Sequence, residues 1–144
     1  MQFDVRKSDY PISEEAAVSQ LSEMMSYYDW DPEDIEDDDE KRKTYETLKK
    51  LVKHIRAGRL EVDIDETAPY LRQTLASGET LQYSGSLAKA KSATDGYARD
   101  ARYAMMFAFM GSLAGVGASG ISKLQGRDFA AMEAVAGFLM TLAS

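Results

Sequence analysis

Residues 60–85 read LEVDIDETAPYLRQTLASGETLQYSG, and this stretch decides whether the chain is purely helical or mixed. In Leu60-Glu61-Val62-Asp63-Ile64-Asp65 apolar and acidic residues alternate, the period-two pattern of a half-buried strand. Pro69 is expected to break that run. Tyr70–Leu75 and Thr80–Ser84 then predict two further strands around Ala76-Ser77-Gly78-Glu79, a connection carrying the glycine that such turns favour. A β-hairpin or three-stranded antiparallel sheet follows. It needs a helix on its apolar face, because an isolated hairpin is marginal in water.

N-terminal to this stretch the pattern is helical. After a strand-like piece from Gln2 to Arg6, Ser13 predicts an N-cap, with Glu14 and Glu15 in the first turn where the helix dipole favours acids. Ala17, Leu21, Met24 and Tyr28 form one stripe at helical spacing, with Val18 and Met25 beside them. Asp31-Pro32 predicts the start of a second helix running to about Ala57 and stopping at Gly58. Tyr45, Leu48, Val52 and Ile55, helped by Leu51, form its core-facing stripe. Trp30, Tyr27 and Tyr28 sit at the corner between the two helices, where aromatics serve to lock the junction. The pairs Asp37–Lys41, Asp38–Arg42, Asp39–Lys43 and Glu46–Lys50 place an acid four residues before a base, the favourable orientation on a helix.

C-terminal to the sheet, Ser86–Met110 predicts one helix with an alanine-rich face. GSLAGVGASG follows at residues 111–120 as a breaker, and Asp128 is expected to cap a final helix from Phe129 to about Leu142. The fold class is therefore α+β and predominantly helical: a helical pair over residues 1–58, then a small sheet and C-terminal helices over 59–144, together one compact unit. A chain of 144 residues supports one core.

Charge is unevenly distributed. Residues 1–40 carry 14 acids and 2 bases, whereas residues 41–60 carry 8 bases and 1 acid, within a net charge of −7. That balance argues against nucleic acid, whose phosphates demand Lys and Arg. The N-terminus MQFDVRKSDY lacks the basic start and apolar run of a signal peptide, so a cytoplasmic location is expected. With no cysteine, one histidine and no Gly-rich phosphate loop, no catalytic constellation emerges. The expectation is a non-enzymatic protein with no catalytic residues, no cofactor and no small-molecule ligand. His54, on the basic second helix, reads as a surface or boundary residue.

Three segments remain as candidates. Asp29, Asp31, Glu33, Asp37 and Glu40 fall at positions 1, 3, 5, 9 and 12 of a calcium-binding helix–loop–helix, although Asp34 stands where its turn wants glycine. They support an alternative reading as an acidic regulatory or cation-binding protein. Tyr103–Ser122 is uncharged over about the length of a membrane span and carries Gly111 and Gly115 at the spacing of a helix-dimer motif, which supports a third reading as a membrane-active effector. Its glycines and serines point instead to a buried helix ending in a loop, so no membrane partner is expected. The last helix, AAMEAVAGFLMTLAS, is apolar nearly all round. Phe129, Met132, Val135, Phe138, Leu139 and Leu142 point in more directions than one packing face absorbs, and they are the expected contacts to another protein chain or a second copy.

The run LRQTLASGETLQYSG, a helical middle, then Leu124-x-x-x-Asp128-Phe129 leading to Val135-x-x-Phe138-Leu139 resembles the ending of small tail-assembly, tail chaperone-type proteins of tailed bacteriophages. The likeness covers about residues 70–142. It implies a role in assembly inside a bacterial host cell, binding another phage protein such as an apolar tape-measure protein through the C-terminal helix.

Overall fold

A computed structural model describes residues 10–64 and 68–144; the strand-like or irregular piece expected over Gln2–Arg6 lies outside the described residues. Among these, six α-helices accompany one three-stranded antiparallel sheet, so the fold is helix-dominated α+β.

Helix α1 spans Glu14–Tyr27, and the Ser13 hydroxyl accepts the Ala16 N–H at 3.1 Å. The second helix departs from expectation. Asp31 caps only a 3₁₀ turn, Pro32–Asp34; Ile35 is extended, and α2 begins afresh at Asp38 and runs to Arg56. The Asp37 carboxylate caps that new start, accepting the Glu40 N–H at 2.9 Å. The acidic sequence from Asp31 to Asp39 contains two good caps, Asp31 and Asp37, and continuous helix through it would stack like charges at adjacent turns. Of the four expected ion pairs Asp39–Lys43 forms, at 3.3 Å, while Lys41 reaches back across the break to Glu33 at 3.2 Å.

Strands β1 (Leu60–Ile64), β2 (Pro69–Thr74) and β3 (Thr80–Tyr83) lie in that order, with Val62 opposite Leu71 and Leu71 opposite Tyr83. Pro69 opens β2 instead of interrupting the sheet, a position where its missing N–H costs no ladder bond. Pro69, Leu71 and Gln73 are buried on one face. On the other, Arg72 bridges Glu61 and Asp63 at 2.6 Å each. Gln73 is fully buried and satisfied: its amide donates to the Asp128 carbonyl at 2.8 Å and its oxygen accepts from the Tyr83 hydroxyl at 2.7 Å.

The expected single helix over Ser86–Met110 is two: α3 (Leu87–Ser92) and α4 (Arg102–Ala114). Between them Gly96 takes φ +88°, a conformation that no helix continues through. Helix α5 (Gly117–Ser122) folds back on α4, and α6 (Gly126–Ala143) closes the chain. Asp128 does not cap α6. Gln125 holds the cap position, and Asp128, one turn inside, turns its carboxylate to the Ala76 N–H at 3.0 Å, tying the β2–β3 turn to the helix. Helix α6 is the centre of the core: it packs on α2, α3, α4 and β2, so the N-terminal helical pair and the C-terminal half share one interior.

Candidate functional site

The structure places the six expected contact residues of α6 mostly inside. Met132, Val135, Phe138 and Leu139 are no more than 2% exposed, buried within this chain, and they form no docking face. Phe138 packs its ring against the edge of Trp30, centroids 5.8 Å apart, which is the expected helix-corner lock. Phe129 is half-buried in a cluster with Phe107 and Tyr103, and half-buried Leu142 sits at the mouth of a shallow dip with Trp30 and Ile35.

The acidic segment is occupied by its own backbone. Asp31 and Asp37 serve as caps, and Glu33 is held below the usual carboxylate range first by the Tyr45 hydroxyl and then by Lys41. Asp29 takes φ +50° in the turn that ends α1. No group of three acidic or histidine side chains able to hold a metal ion occurs among the described residues. Tyr103–Ser122 is a helical hairpin: Gly115 ends α4 in the left-handed conformation, and Gly111 lies directly under the Gly117 backbone. Gly111 and Gly117 thus serve a contact within the chain, and Gly115 the turn that allows it. Among the described residues no helix is long and apolar enough to cross a membrane.

His54 is not a surface residue. It is 7% exposed, its Nδ1 is 3.3 Å from an Arg59 nitrogen, and burial, then Arg59, Lys53 and Lys50, hold its pKa near 4. Folding therefore favours the neutral ring. Because the unfolded chain binds this proton near pH 6.5, stability is full above that pH and falls as pH drops from 6.5 towards 4, with a ceiling of about 3 kcal/mol. Urea titrations at a series of pH values should show that slope, and H54Q should flatten it. An unchanged slope in H54Q would mean that the loss belongs to other groups.

A groove of about 960 Å³ lies between α1 and α2. It is lined by Val18 and Met25 from α1 and Leu48 and Val52 from α2, over the buried side chain of Leu21, with Pro32 at one end. Each helix thus carries two apolar stripes: Ala17, Leu21 and Met24, like Leu51 and Ile55, turn to the core, whereas Val18 and Met25, like Leu48 and Val52, turn to the groove. Val18 is 44% exposed, a large share for a valine beside so much apolar surface. Lys49, Lys53 and Arg56 line the α2 rim, and Arg59 its far end. The Arg56 guanidinium lies 5.1 Å from the centre of the Tyr10 ring and donates to the Ile12 carbonyl at 3.3 Å. Comparison with protein-family models, curated proteins and solved structures finds no match to this chain.

The sequence carried a signal for this groove. Val18 and Met25 beside the first stripe, and both Leu51 and Val52 in the second, make each apolar arc wider than one neighbour needs. What periodicity does not reveal is that the two surplus arcs face each other.

Proposed function

We propose that this chain is a non-enzymatic protein-interaction module of an assembly process, and that it engages another protein through the α1–α2 groove instead of through α6. The carrying observation is an apolar groove in which Val18 is exposed and Met25, Leu48 and Val52 are half-buried, on a protein whose other large apolar side chains are mostly packed. Exposed contiguous apolar surface rimmed by charge is the usual mark of a binding site. The groove lacks convergent buried polar groups on its floor, which specific small-molecule sites use to fix orientation. The resemblance of residues 70–142 to phage tail-assembly proteins supports the same class of role, with the sheet and α6 as scaffold and the N-terminal helical pair as the working face.

A photoreactive amino acid at Val18 tests this reading in producing cells. It should crosslink to a discrete second protein, V52K should suppress that product, and the same probe at Ala130 on α6 should not give it. If Val18 yields no product that V52K removes, the groove is not a docking site.

A further inference from the structure

The geometry points to the occupant of the groove: an acidic amphipathic helix of the partner protein. This rests on the reading of the groove as a docking site. Its α1 wall runs from Glu14 to Met25 and its α2 wall from Tyr45 to Arg56. At 1.5 Å per helical residue each wall is about 17 Å long, the length of three turns. Val18 and Met25 stand two turns apart on α1, and Leu48 and Val52 one turn apart on α2, so two helical stripes lie open to a third with anchors at i, i+4 and i+7. The walls are helices whose backbone bonds are internal, so an extended segment would find no ladder partners there. A helix brings its own.

Charge selects among helices. Lys49 and Lys53 stand one turn apart on the α2 rim, exposed and without a carboxylate partner among the described residues. Arg56 continues their row, while the α1 wall contributes Glu14. The rim is thus basic along one side of a protein that is net −7. The acidic turn from Asp29 to Asp39 flanks the Pro32 end, so the carboxylates of the occupant belong beside Lys49 and Lys53, away from that end. Phosphate-bearing partners do not suit a floor of valine, leucine and methionine.

The test uses the full chain and three fluorescent three-turn peptides: one with leucines at i, i+4 and i+7 flanked by glutamates, one with the same leucines flanked by lysines, and one with the glutamates kept and the leucines scrambled. The glutamate peptide should bind at least roughly tenfold tighter than the lysine peptide and weaken several-fold in high salt. The scrambled peptide should not bind. K49E/K53E should reverse the preference, and V52K should abolish binding of both anchored peptides with helix content unchanged. Equal binding of the glutamate and lysine peptides would overturn the acidic partner and leave the groove as a docking site. Failure of every peptide would overturn the helical occupant, and the Val18 crosslink then decides separately whether the groove binds protein at all. A dimer broken by V52K would assign the groove to a second copy, and stoichiometric laurate binding without peptide binding would assign it to an anionic amphiphile; either overturns the proposal.

Discussion

Truncating Phe138 to alanine is expected to destabilise the protein by about 3–5 kcal/mol, the range for removing a well-packed buried aromatic ring. Phe138 is 2% exposed on the central helix, and its ring supports Trp30 edge to face across the α1–α2 corner. The loss therefore combines transfer, cavity and aromatic contact, and the corner that sets the angle between α1 and α2 loses its backing. Urea denaturation should show the midpoint falling with little change in slope, and Tm should drop by roughly 10–20 °C for a domain of this size. F138D should fail to fold. It is not expected to leave a folded monomer that has merely lost a partner, because the ring is buried within this chain. Leu142, half-buried near the chain end, should tolerate aspartate far better. A cost below about 1 kcal/mol for F138A would mean that the site collapses freely, and the placement of α6 at the centre would be wrong.

This expectation shows where the sequence can and cannot be read. The sheet is legible because apolar and acidic residues alternate along β1 and the Gly78 turn has the residues a short connection needs. The first cap is legible because Ser13 precedes two acids at the start of a clear stripe. A helix apolar on every side is different: it is either central or interfacial, and the distinction depends on how many elements surround it. Here α2, α3, α4 and β2 all do, which local periodicity does not encode. The breaks at Ile35 and Gly96 were obscured for a related reason. Each lies between segments that are both helical, so composition on either side suggests continuity, while a second cap or one left-handed glycine ends it. The excess of bases over residues 41–60 was visible as charge, but only the opposing α1 stripe turns Lys49 and Lys53 into the rim of a groove.

Gly111 gives the sharpest test of how the C-terminal half is assembled. A Cβ built there would stand 2.2 Å from the Gly117 carbonyl carbon and 2.6 Å from the Ala118 nitrogen, and both are backbone atoms that cannot swing aside. Helix propensity alone favours alanine over glycine by about 1 kcal/mol within a helix. The clash opposes it. Relieving the overlap requires α5 to move off α4, which opens the hairpin and exposes Ile121, fully buried in the core. G111A should therefore cost about 3 kcal/mol or more, at the upper end for overpacked interiors. Gly137 provides the control on α6: a Cβ there meets only the Thr47 side chain, its methyl at 3.4 Å and its Oγ1 at 3.7 Å. G137A should be neutral or stabilising by up to about 1 kcal/mol, since propensity is then unopposed. The same chemical change in two helices is thus expected to take opposite signs, and denaturant midpoints of the two variants read that difference directly. If G111A is as stable as G137A, α4 and α5 do not approach backbone to backbone, and the uncharged run through Ser122 is not the folded hairpin described above.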